Sequence, residues 1–111
     1  MIDEQEFRNH ADRALDQLNR ALNDASEEHG FESDFNAGAL TIEFEEPPAR
    51  FVVSPNTPVR QVWLSALSKS YKLDWNPARN TFVLADTGQS LLDLVADRIS
   101  EQLGTDVTLT K

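Results

Sequence analysis

The sequence predicts an α+β fold: a two-layer sandwich in which two helices pack on one face of a single antiparallel sheet. Three observations carry this. Apolar residues recur every three or four positions from Phe7 to Ala25. They then alternate with polar residues in short runs from Phe31 to Leu84. Helical spacing returns from Leu91 to Leu103. Consecutive strands joined by short turns pair antiparallel, and strands with one apolar face need helices on that face only.

In the first segment Phe7, Ala11, Leu15, Leu18, Leu22 and Ala25 form the stripe of an amphipathic helix. Asp3, Glu4 and Glu6 stand near its start, where the macrodipole favours negative charge, and Gly30 ends it. Phe31, Ser33 and Phe35 alternate with Glu32, Asp34 and Asn36, and Leu40, Ile42 and Phe44 alternate with Thr41, Glu43 and Glu45. These are two half-buried strands. Ala37-Gly38 makes a tight hairpin turn between them, and Pro47-Pro48 closes the hairpin and separates it from the next strand. Residues 51–54, 61–66, 71–75 and 81–84 read as further strands, broken at Pro58, at Asn76-Pro77 and at Asn80. Ser90 caps the closing helix, with Asp93 at its third position. Leu91, Leu92, Val95, Ile99 and Leu103 form its buried stripe and Gly104 stops it. Val107 and Leu109 are expected to cover the open end of the core.

The 111 residues, 40% of them hydrophobic, suit one domain spanning residues 1–111. A chain of this length buries roughly two thirds of its unfolded surface. It has no cysteine, which excludes a disulfide framework, a thiolate metal site and a cysteine nucleophile. It lacks a membrane-length apolar run, a signal-peptide pattern, a phosphate-binding loop and a nucleophile elbow. The expectation is a soluble, cytoplasmic, non-enzymatic protein with no membrane contact. The net charge is −9, and it is unevenly spread. Residues 1–46 hold thirteen acids and three arginines, whereas residues 47–111 hold six acids and seven bases. Duplex phosphates would repel such a chain, so nucleic acid is not its partner; the acidic end attracts cations or a basic protein.

Asp24, Glu27, Glu28, Glu32 and Asp34 fall within eleven residues, and no Lys or Arg lies between Arg20 and Arg50. Carboxylates are hard oxygen ligands and suit iron and other hard cations, but nothing here forms a compact, closed ligand set. A plain solubilising face is the alternative reading. A two-residue turn at Ala37-Gly38 places Glu32 directly opposite Glu43, a like-charge pair that costs stability, so Glu43→Lys is expected to stabilise. Arg8, Arg13 and Arg20 stand three or four residues from Asp12 and Asp16 and are expected to neutralise them. His10 borders the apolar stripe as an edge residue, whereas His29 follows Glu27 and Glu28 and is a possible further ligand. With Val62 and Leu64 facing the helices, Gln61 and Trp63 face the open side of the sheet. Trp63 is there either a lone exposed aromatic or a binding anchor.

The stretch Pro58-Val59-Arg60-Gln61-Val62-Trp63-Leu64-Ser65, followed by Leu73-Asp74-Trp75, resembles the signature of the frataxin family. The likeness runs from the acidic first helix, through Ala39-Leu40-Thr41-Ile42, to Ser90-Leu91-Leu92-Asp93-Leu94. Its length and the lack of a leader point to the bacterial branch. The resemblance implies weak binding of Fe(II) and Fe(III) on an acidic ridge, here Asp3, Glu4, Asp24, Glu28, Glu32 and Asp34, with Glu27, His29 and Glu43 as further candidates. It also implies docking on the cysteine desulfurase and the scaffold protein of iron–sulfur cluster assembly, with Gln61 and Trp63 on the partner face. The expected state is a monomer that can oligomerise with iron. There are departures: Arg20 and Asn23 stand where bacterial members commonly carry acids, Gly30 replaces another acid, Arg8 a histidine, and Ser54 an asparagine. The ridge is therefore thinner, and Glu43 and Glu45 add carboxylates beside it. Two other readings are a ferroxidase, for which the paired Glu-x-x-His helices of di-iron bundles are missing, and an acidic docking module without a metal role.

Overall fold

In the computed structural model, which describes residues 2–36, 38–45 and 48–109, Asp3 opens the first helix, α1 (Glu4–His29). Its carboxylate accepts the Glu6 backbone N–H at 2.8 Å, satisfying one of the donors that a helix start leaves free. Gly30 closes the helix at φ +69°, donating its N–H to the Ser26 carbonyl, a left-handed cap that glycine takes without steric cost. Phe7, Ala11, Leu15, Leu18 and Leu22 are buried as the spacing predicts, joined by Ala21, with Ala25 half-buried.

Six strands follow in sequence order as one antiparallel meander: β1 (Phe31–Asn36), β2 (Ala39–Glu45), β3 (Pro48–Asn56), β4 (Gln61–Ala66), β5 (Lys69–Asn76) and β6 (Thr81–Leu84). A short 3₁₀ turn, Thr57–Val59, joins β3 to β4. Asn36 pairs with Ala39 around the first hairpin; Ala37 itself lies outside the described residues. So does Pro47, but Pro48 does not separate the strands as expected. It is the first residue of β3, opposite Glu45, a position where a missing N–H leaves the sheet intact. The β4–β5 turn has no glycine: Leu67 and Ser68 both take positive φ, the geometry that matches a two-residue hairpin to the twist of its strands.

The last helix, α2 (Leu91–Leu103), is capped by Ser90, whose hydroxyl accepts the Asp93 N–H, and ends at Gly104. Its buried face is rotated from the predicted stripe. Leu91, Leu94, Val95, Ala96 and Ile99 are buried, while Leu92 and Leu103 lie half-buried at the margins. Helix α2 packs chiefly against β6, and the side it buries takes in Leu94 and Ala96 along with Leu91, Val95 and Ile99. Arg98 ties the helix to β5, with its guanidinium 3.4 Å from the Tyr71 hydroxyl and 2.7 Å from Glu101. Val107 and Leu109 cover the end of the core as expected, and the Ser100 hydroxyl holds the tail by accepting the Val107 N–H at 2.8 Å.

Both helices sit on one face of the sheet. There Phe7 meets Phe82 edge-on at 5.8 Å, and Phe44 lies 4.8 Å from Phe51. Each such side chain contributes about 1.5–3 kcal/mol by leaving water. His10 stands at the rim of this layer, stacked on Trp75 with ring centroids 3.7 Å apart.

The register bears out the opposition of Glu32 and Glu43 and adds a neighbour: Arg50 of β3 lies directly opposite Glu43 on its other side. This revises the expectation for Glu43→Lys, because the lysine would relieve Glu32 and repel Arg50, leaving stability nearly unchanged. Glu32→Lys is the clean reversal, and it should stabilise by about 0.5 kcal/mol, or about 2–3 °C in melting temperature. The gain should shrink as salt is raised. A lower melting temperature for folded Glu32→Lys in dilute buffer would mean that the pair does not repel.

Candidate functional site: an acidic edge and an open sheet face

The predicted site residues divide between α1 and its N-terminal cap, which carry Asp3, Glu4, Asp24, Glu27, Glu28 and His29, and the open side of the sheet, which carries Glu32, Asp34, Glu43, Gln61 and Trp63. The ridge acids fall into two groups. Asp3 and Glu4 lie at the start of α1, about 30–38 Å along the helix from Asp24 and Glu28 at 1.5 Å per residue. Asp3 is engaged as the helix cap, and Glu4 lies 3.6 Å from Arg8. Arg8 therefore turns to Glu4 and not to Asp12, while Arg20 pairs with Asp16 at 3.1 Å as expected. With Arg20 so engaged, Asp24 one turn further on keeps its charge uncompensated.

At the other end the structure brings Asp24, Glu28 and His29 to one groove of about 380 Å³, where the C-terminal tail contributes Asp106 and Thr108. The His29 Nε2 lies 4.0 Å from the Glu28 carboxylate, and Glu27 is exposed beside them. Asp106 was missed from sequence. The signal was the alternation of the tail: with Val107 and Leu109 inward, Asp106 and Thr108 must face out.

Around the corner, Glu32 and Asp34 of β1 face the open side, opposite Glu43 and Thr41. Gly30, Phe31, Glu32, Glu43, Phe44 and Glu45 line a hollow of about 280 Å³ at this end of the sheet. Among the described residues no ion pair reaches Asp24, Glu27, Glu32, Asp34 or Glu43. Also among the described residues, no three acids or histidines converge closely enough to hold one metal ion. The donor chemistry fits a hard cation, and the geometry fits loose, exchanging contacts along a surface.

On the open face Trp63 is half-buried and held in place. Its indole N–H donates to the Gln61 side-chain oxygen at 3.0 Å, and the Gln61 amide donates to Asp74 at 3.1 Å. The Lys72 ammonium stands 5.1 Å from the centre of the Trp63 ring. Trp63 is thus no lone exposed aromatic. Asp74 stands in the sequence signature, but its place beside Gln61, like that of Lys72 beside Trp63, comes only through the β4–β5 register.

Against this geometry stand the chain's likenesses. The family model described as a frataxin-like domain matches residues 1–105. A protein of Azotobacter vinelandii named iron-sulfur cluster assembly protein CyaY is 30% identical over 95 residues, covering 84% of this chain and 86% of that protein. One of the same name from Pseudomonas putida is 31% identical over 98 residues, covering 83% and 88%. Among solved structures, the frataxin of Psychromonas ingrahamii superposes with a TM-score of 0.76 at 26% identity, covering 99% of this chain and all of that one. The chain belongs to the frataxin family. Within it, the relatives carrying the CyaY name place it in the bacterial branch. Those relatives are named as assembly proteins and not as enzymes. Among the described residues no helix is long and apolar enough to cross a membrane.

The hydrogen-bonded chain on the open face has a spectroscopic consequence. Gln61→Ala should shift and broaden the Trp63 indole N–H resonance while leaving that of Trp75 in place. Its melting temperature should change little. Trp63→Ala should cost less stability than Leu64→Ala, a core truncation worth about 2–5 kcal/mol. Equal losses would make Trp63 a structural residue.

Proposed function

We propose that this protein serves bacterial, cytoplasmic iron–sulfur cluster assembly as an iron-binding adaptor and not as a catalyst. Iron is held weakly and in exchange on Asp24, Glu28, Glu32 and Asp34, with Glu27, His29 and Glu43 at the margin and Asp3 and Glu4 as a separate, weaker outpost. The adaptor docks on a cysteine desulfurase and its scaffold, using the acidic edge for steering and Trp63 with Gln61 as the anchor. The observation that carries this reading is the opposition of Glu32 and Glu43. The fold keeps a like-charge pair in its first hairpin beside further uncompensated acids, which favours a surface kept for cations or a basic partner. The names of the relatives supply the pathway.

Two measurements test it. Paramagnetic divalent cations added without oxygen should broaden the signals of Asp24, Glu28, Glu32 and Asp34 first, in fast exchange, and raise the melting temperature as the repulsion is neutralised. Broadening that begins on α2 would overturn the ridge, and turnover of Fe(II) under oxygen would replace the adaptor with a ferroxidase. In binding to the desulfurase, Glu32→Lys with Asp34→Lys should slow association and flatten its salt dependence. Trp63→Ala should chiefly speed dissociation. If neither variant alters binding, the docking assignment fails.

A further inference from the structure

The two edges of the sheet are finished differently. The outer side of β6 is covered by the segment that follows it. Val83 bridges Ser90, and the Leu84 N–H donates to the Gln89 carbonyl at 2.9 Å. Nothing comparable closes β1: among the described residues, no backbone hydrogen bond reaches it apart from its ladder with β2. Alternate residues of an edge strand turn their N–H and C=O groups outward. In β1 these are offered without the bulge, proline or lysine that usually spoils an edge, since the register runs unbroken from Phe31–Phe44 to Asn36–Ala39.

The side chains select what can pair there. Glu32 and Asp34 stand two residues apart on the open side, about 7 Å. A second copy of β1 laid alongside would set acid against acid, so self-pairing is repelled. A strand with basic residues at every second position would set cation against carboxylate at each step. At the start of β1, the hollow bordered by Glu32, Glu43 and Glu45 suits a guanidinium, which binds carboxylates through two parallel hydrogen bonds. On the helix side, Phe35 is half-buried and leaves a place for an apolar residue between the basic ones.

We propose that β1 accepts a seventh strand: an extended segment of a partner protein in which Lys or Arg alternates with apolar residues, paired to the backbone of residues 31–36, with one arginine seated beside Glu43 and Glu45. This deepens the docking reading above and rests on its acidic edge as a contact surface.

The probe is a seven-residue peptide alternating valine and arginine, with blocked ends. Two further versions carry N-methyl groups on alternate residues, one on the odd positions and one on the even. All three have the same charge, but each methylated version loses hydrogen-bonding capacity along one edge only. The parent peptide should bind, shift the amide signals of residues 31–36 and slow their exchange with solvent. One methylated version should bind nearly as well, and the other at least tenfold more weakly. Glu32→Lys with Asp34→Lys should also weaken the parent at least tenfold. Equal binding of the two methylated versions would reduce the contact to charge alone and overturn the strand. So would shifts centred on Trp63, no binding of any peptide, or a dimer of the protein in sedimentation that the peptide cannot displace. Equal binding of the methylated peptides while the desulfurase still docks on the ridge would sink this inference and leave the proposed function standing.

Discussion

One constraint governs the molecule: a single sheet must bury one face and only one. Phe31, Leu40, Ile42, Phe44, Phe51, Val53, Val62, Leu64, Leu73 and Phe82 all turn toward the helices and are buried. Because side chains alternate strictly along a strand, their neighbours have no choice of side. Glu32, Asp34, Glu43, Gln61 and Trp63 face out because the residues next to them face in. A slip of one residue would carry the acids into the core and the phenylalanines into water, so the register of the site is held by the whole hydrophobic energy of the sheet. On the sheet, this alone decides which residues face out.

The same constraint explains what was legible in the sequence. The helices, all six strands, the Glu32–Glu43 opposition and the outward Trp63 follow from periodicity and one short turn, signals that lie within a few residues of each other. What escaped notice depends on contacts between elements. Arg50 reaches Glu43 only through the β2–β3 pairing, and Asp74 and Lys72 reach Trp63 only through β4–β5. The Leu67–Ser68 turn carried no glycine or asparagine to announce it. The rotation of α2 depends on how it seats against β6, which a helical stripe read alone does not contain. Asp106 was hidden behind its apolar neighbours.

The two halves of the functional surface are built on opposite principles. Around Trp63 the polar groups are linked: indole to Gln61, Gln61 to Asp74, ammonium to ring. Such a network is rigid before any partner arrives, so little freedom is lost on contact. Along the acidic edge Asp24, Glu27, Glu32 and Asp34 have no ion-pair partner among the described residues, and side chains there stay free to follow whatever cation approaches. A fixed anchor beside an adaptable, long-range attractor divides recognition into encounter and commitment.

The strictly sequential meander has a consequence for how the chain is made. Every strand pairs with its neighbour in sequence, so the sheet can assemble hairpin by hairpin, but α1 cannot finish packing until β6 is made, because Phe7 rests against Phe82. The helix is made before the strands, and β6 follows only after some fifty-five further residues, a wait of about 3–10 s at ordinary synthesis rates. Throughout that interval the stripe from Phe7 to Leu22 has only part of its sheet to lie on, beginning with β1. The dense acids of residues 1–46 surround that stripe and its first hairpin, and like charge of that density disfavours association between incomplete chains.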